Sequence, residues 1–139
     1  MSPQQPRDIL FVEDDPDDVE LTMVGLDRHE LPNRLVVAGD GAEALDLLIG
    51  ERATPFAVVT LDLKLPKVSG QQVLERVRAD PRTRTLPVIV LTSSSRPEDV
   101  LDSYNNGANS YVRKPVDFTA FADAVAQLGL YWASLNLVP

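Results

Sequence analysis

Phe56-Ala57-Val58-Val59-Thr60-Leu61-Asp62 is a continuous, largely β-branched apolar run that ends abruptly on a carboxylate. Thr54-Pro55 stands before it and Lys64-Leu65-Pro66 after it. A run so bounded reads as a strand buried on both faces, which is how parallel sheets are built. Asp62 then stands at the carboxyl edge of a sheet. Ligands of open α/β sheets bind in the crevice beyond those edges, so Asp62 is a candidate functional residue. The rival explanation is a helix cap or a turn, but Pro66 follows too soon for a helix to begin at once.

Outward from this run, the chain repeats the design. Ile9-Leu10-Phe11-Val12 closes on Glu13-Asp14-Asp15, Leu86-Pro87-Val88-Ile89-Val90-Leu91 closes on Thr92-Ser93-Ser94-Ser95, and the weaker Ser110-Tyr111-Val112-Arg113 closes on Lys114-Pro115. Leu35-Val36-Val37-Ala38 is a further short strand. Helical signals fill the intervals. Pro16 suits a first helical position with Asp17 and Asp18 in the first turn, and Val19, Met23 and Leu26 recur at helical spacing until Leu31-Pro32. Asp40-Gly41-Ala42-Glu43 has the form of a capping box, Leu45, Leu48 and Ile49 form a stripe, and Gly50 terminates it. Val73, Leu74 and Val77 mark a third helix ending at Asp80-Pro81. Pro97-Glu98-Asp99 opens a fourth through Val100, Leu101 and Tyr104, and Asp117 caps a last one with Phe118, Phe121, Val125 and Leu128. Strict alternation implies an α/β fold: a doubly wound five-stranded parallel sheet with helices on both faces.

At 139 residues and 44% hydrophobic content the chain suits one domain with one core. We expect a disordered tail over residues 1–7, the domain over 8–128 and an apolar extension over 129–139. A net charge of -8 opposes phosphate attraction and argues against nucleic-acid binding. The absence of Cys fits the cytoplasm. The polar start has no apolar signal core, and no run approaches the ~20 residues of a membrane span.

All the unusual chemistry lies on one edge. Glu13, Asp14 and Asp15 follow the first strand, Asp62 the third, Thr92 the fourth and Lys114 the fifth. Singly each has an ordinary explanation: Asp15 as a helix cap, Thr92 as a turn former, Lys114 as a solvated charge. Together, several carboxylates in one crevice repel one another unless a cation is present, and hard oxygen ligands favour a divalent ion such as Mg²⁺. Asp is also a nucleophile toward phosphoryl groups, and transfer to it needs charge neutralisation of the kind Lys114 and Thr92 supply.

As a set, Glu13-Asp14, Asp62 with Pro66 and Gly70, Thr92, and Lys114-Pro115 resemble the receiver domain of two-component response regulators over about residues 8 to 128. That resemblance implies that Asp62 accepts a phosphoryl group from a sensor histidine kinase. It implies Mg²⁺ held by Asp14, Asp62 and the backbone carbonyl of Lys64, with Glu13 acting through water. Thr92 and Lys114 would hold the phosphoryl oxygens, and Thr92 and Tyr111 would form the switch. Lys64 and Ser94 occupy positions associated with dephosphorylation rate. The implied sheet is flavodoxin-like, of order 2-1-3-4-5, and Lys114-Pro115 is expected cis.

Val12-Glu13-Asp14-Asp15-Pro16, the Val88 to Ser94 run and Leu130-Tyr131-Trp132 further resemble the single-domain regulators paired with bacterial phytochrome histidine kinases. On this reading the protein is not an enzyme beyond its own phosphoryl transfer and autodephosphorylation. With no output domain following, it would act as effector, shuttle or phosphate sink. It has one histidine, His29, near the end of a predicted helix, and is poorly equipped to be the kinase or a phosphotransfer protein.

Three alternatives remain. A haloacid-dehalogenase-type phosphatase also uses an Asp nucleophile with Mg²⁺, but after its first strand and with a second Asp two residues on, where this chain has Lys64. A flavodoxin-type cofactor binder would need a phosphate cradle where Glu13-Asp14-Asp15 would repel one. An inactive pseudo-receiver would lack a member of the set, and none is missing. The extension carries Leu130, Tyr131, Trp132, Leu135, Leu137 and Val138. We expect a homodimer through the fifth helix and this tail, against the alternative that the tail packs on its own domain.

Overall fold

The computed structural model describes residues 7–28 and 30–137, with the backbone alone at Ser134. Of the expected 1–7 tail only Arg7 is among them; its carbonyl accepts from Asn33 Nδ2 at 2.7 Å. His29 and the last two residues of the extension lie outside the described residues.

Elements alternate as expected: β1 (Asp8–Val12), α1 (Pro16–Arg28), β2 (Leu35–Ala38), α2 (Gly41–Ile49), β3 (Phe56–Leu61), α3 (Gly70–Ala79), β4 (Val88–Thr92), α4 (Pro97–Asn105), β5 (Ser110–Arg113) and α5 (Phe118–Gly129). A π-helical turn, Leu130–Leu135, continues α5 directly. The sheet is parallel throughout, in the order β2-β1-β3-β4-β5, as the resemblance implied.

The central strands are buried on both faces because successive side chains point to opposite sides of a sheet. Leu10, Val12, Val59, Leu61, Val88 and Val90 meet Leu45 and Leu48 of α2 and Val73, Leu74 and Val77 of α3. On the other face Phe11 and Leu91 meet Leu26 of α1 and Phe121 and Val125 of α5, while Ile9, Val58 and Ile89 pack with Leu128 and Trp132. Some residues of the expected helical stripes lie outside this core. Met23, Leu101, Tyr104 and Phe118 are exposed.

Side chains close the N-terminal ends of α2, α3 and α5. Asp40 accepts from the Glu43 amide at 2.8 Å, and Glu43 reaches back to the Gly39 amide rather than that of Asp40. Asp117 accepts from Ala120 N at 3.0 Å. Ser69 and Gln72 make a reciprocal capping box on α3, so α3 begins at Gly70. At Gly70 a Cβ would come within 2.3 Å of the Asp62 carbonyl, and at Gly41 one would meet the Val68 carbonyl at 2.0 Å. Glycine at these two places lets α2 and α3 close on the loop that follows Asp62.

Candidate functional site

Each edge residue stands just beyond or at the end of its strand, yet its backbone is pinned to the neighbouring strand. Glu13 N donates to Ala38 O at 2.9 Å, Asp62 N to Val12 O at 3.1 Å and Lys114 N to Thr92 O at 2.7 Å. The sheet's own ladder therefore aims these side chains into one crevice. Glu13 and Asp62 are buried and Thr92 is completely so.

Lys114 is the hub. Its ammonium donates to Glu13 Oε1, to Asp18 Oδ2 at 2.8 Å and to Asp62 Oδ2 at 3.0 Å. The other Glu13 oxygen, Oε2, accepts from the amides of Asp14 and Asp15 at 3.1 and 3.3 Å. Desolvation opposes the Lys114 charge, but its bonds to Asp18, Glu13 and Asp62 more than offset this and hold its pKa above the ordinary lysine value. The Glu13 pKa is also raised, up to about 7: burial is the largest cause, the Lys114 bond opposes it, and the Asp62 charge adds to it.

Carboxylate oxygens of Glu13, Asp14 and Asp62 lie within 4.8 Å of one another. Three hard oxygen donors at that spacing, two of them buried, fit a small divalent cation. Asp14 is exposed and gives such an ion a route from solvent. Lys64 is exposed, and its amide donates to Asp62 Oδ1 at 3.3 Å.

The remaining expected residues group around the β4 to α4 loop. Thr92 Oγ1 accepts a long bond from Ser94 N at 3.5 Å, and among the described residues it makes no hydrogen bond to Asp62. Ser94 Oγ donates to Asp99 Oδ2 at 2.5 Å, and the Tyr111 hydroxyl donates to the Ser94 carbonyl at 2.8 Å. Burial raises the Tyr111 pKa. Asp15, by contrast, takes its ordinary role and accepts from Asp17 N at 2.9 Å at the start of α1.

One expectation is corrected. The Lys114–Pro115 peptide is trans, not cis; trans is the lower-energy form of an X–Pro bond, and with it Lys114 already reaches all three carboxylates. One residue was missed. Asp18 read as a first-turn helix charge, and the available signal was that a helix starting at the carboxyl edge of β1 turns its first residues toward the same crevice.

Residues 9–126 match the family described as the response regulator receiver domain. The chain is 37% identical to the protein named "Probable methanogenesis regulatory protein FilR2" of Methanothrix harundinacea, over 98% of this chain and 90% of that one. It is 30% identical to response regulator Rcp1 of Synechocystis sp., over 96% of this chain and 94% of that protein. The solved Mn²⁺-bound form of Rcp1 superposes with a TM-score of 0.88, covering 96% of this chain and 99% of that one. The bacteriophytochrome response regulator AtBRR is 46% identical, with a TM-score of 0.73 and coverage of 97% and 100%. None of these supports the phosphatase alternative, and the nucleophile candidate follows β3 rather than β1. With its edge carboxylates, Thr92 and Lys114 gathered on this sheet, the chain belongs to the response regulator receiver domain family.

Proposed function

We propose that this receiver takes a phosphoryl group on Asp62 from a sensor histidine kinase of the phytochrome type, in the cytoplasm, with Mg²⁺ as its ion. The observation that carries the reading is the contact of Lys114 with Asp62 inside the acid cluster, because it brings nucleophile and countercharge together. An Asp62 oxygen forms the new bond to phosphorus, the phosphorus–nitrogen bond to the kinase imidazole breaks, and the imidazole leaves with its electron pair. Asp14 and Asp62, with the Lys64 carbonyl and Glu13 through water, would hold Mg²⁺, which when bound neutralises charge on the phosphoryl oxygens. Lys114 supplies a donor to one such oxygen and Thr92 to another. The phytochrome assignment is supported by the likeness to AtBRR, whose name describes a bacteriophytochrome response regulator.

The reading extends to a switch. Thr92 turns toward the phosphoryl group, the Ser94 loop follows, and Tyr111 moves with its carbonyl partner, changing the α4–β5–α5 face. Lys64 and Ser94 tune how long the state lasts. Incubation with radiolabelled kinases tests the assignment. Label is expected on wild type with Mg²⁺, little with chelator and none on Asp62→Asn; label on Asp62→Asn overturns it. Faster transfer from unrelated kinases than from phytochrome kinases overturns the pairing alone.

A further inference from the structure

The Lys114 ammonium has three N–H donors, and each meets a different carboxylate: Glu13, Asp18 and Asp62. Two of these partners, Glu13 and Asp62, also belong with Asp14 to the group whose oxygens suit a divalent ion. Any cation seated there competes with the ammonium for the same two carboxylates. Asp18 is outside that group and is the partner left over.

Its position suits the task. Asp18 lies in the first turn of α1, Lys114 follows β5, and the two meet at 2.8 Å across 96 residues of chain. The side chains of Lys114 and Asp18 are 12% and 22% exposed, so the pair is partly sheltered from solvent. The Asp18 carbonyl accepts from the buried Thr22 hydroxyl at 2.8 Å, inside the same helix. Asp17, its neighbour in the same turn, is exposed.

We infer that Asp18 is a positioning residue that anchors the Lys114 ammonium over Asp62 when the other two carboxylates are engaged elsewhere. Without it, a long lysine side chain released from Glu13 and Asp62 swings toward solvent and no longer waits where a phosphoryl oxygen arrives. The inference rests on the phosphoryl-acceptor reading only for its functional consequence; the anchoring itself is a property of the resting protein.

Two readouts separate these. Nitrogen-15 NMR of the Lys114 ammonium in the full chain reports the anchor directly, because a held, sheltered ammonium exchanges its protons slowly. In wild type and in Asp17→Asn the signal is expected with and without Mg²⁺. In Asp18→Asn it is expected without Mg²⁺ and lost on adding it. Phosphoryl uptake from phosphoramidate at saturating Mg²⁺ is the second readout, with at least a tenfold loss expected for Asp18→Asn and less than twofold for Asp17→Asn. An Asp18→Asn protein that keeps its signal with Mg²⁺, or takes up phosphate within twofold of wild type, overturns the inference, as does an equal loss in Asp17→Asn. Failure of wild type to take up phosphate instead overturns the acceptor reading, and the NMR result then decides the anchor by itself.

Discussion

Glu13 shows how one buried carboxylate is pulled in opposite directions. Desolvation favours its protonated form, Lys114 favours the anion, and the balance puts its pKa at about 7 in place of the usual 4.5. A raised carboxyl pKa stabilises the fold fully below the unfolded value, and that contribution is lost as pH climbs through the folded value. In metal-free protein we therefore expect the unfolding free energy to drop by on the order of 1 to 3 kcal/mol between about pH 5 and pH 8. Glu13→Gln should flatten that part of the curve. Urea denaturation in chelator at several pH values checks it, and an unchanged slope in Glu13→Gln counts against the assignment.

At the scale of elements, α4 differs from its fellows. It buries one residue, Ser103, and polar bonds do much of the holding: Gln71 Nε2 of α3 donates to Ser103 Oγ at 3.0 Å, and Asn106 Nδ2 donates to Gln71 Oε1 at 2.8 Å. Elements with little apolar burial open first. Amide exchange in α4 is expected to be faster than in β1, β3 or α5, and faster again by about tenfold in Gln71→Ala, which removes the α3 partner of Ser103 and Asn106 and leaves Ser103 only its bond to the Asp99 carbonyl inside α4, at a cost of about 1 kcal/mol. Exchange as slow in α4 as in β3 would contradict this. The same measurement tests the switch. Phosphorylation should alter protection in α4 and β5 of wild type and leave Thr92→Ala unchanged; the same change in both proteins would mean the coupling avoids Thr92.

The opposite end of α3 is anchored differently. Arg78 donates to the carbonyls of Gly107, Thr83, Arg84 and Leu86 and to Asn109 Oδ1. One guanidinium thereby ties α3 to the loops entering β4 and β5. Removing it leaves several carbonyls unpaired at once, so Arg78→Ala is expected to cost about 3 kcal/mol in urea denaturation. A loss below about 1 kcal/mol would show that water replaces it freely.

For the whole molecule, the extension divides between the two expectations. Trp132 and Ala133 pack back against Ile9, Val58 and Ile89, while Leu130, Tyr131, Leu135 and Leu137 stay exposed. We propose that this exposed set, with α5, pairs two copies across a two-fold axis. Cutting the chain after Leu128 would confuse the matter, because it also strips Trp132 from the core. Leu130→Ser with Leu135→Ser is the cleaner change. Light scattering should give a dimer for wild type at high micromolar concentration and a monomer for the double variant with unchanged thermal stability. A monomeric wild type, phosphorylated or not, rules the pairing out.

The sequence by itself determined the alternation of strands and helices, the carboxyl edges and the residue types standing on them. Those follow from local facts: apolar runs such as Val58-Val59 set a strand, caps such as Asp40 and Asp117 set helix starts, and each strand hands its last side chain to the same edge. What only the tertiary structure decided depends on distances between segments far apart in the chain. That Asp18 joins Lys114, that Tyr111 is tied to the Ser94 carbonyl and that Trp132 turns inward while Tyr131 does not are outcomes of how α1, β5 and α5 pack on the sheet. Periodicity gives the face of an element but not the neighbour it meets, because the meeting is settled by packing of the whole core at once.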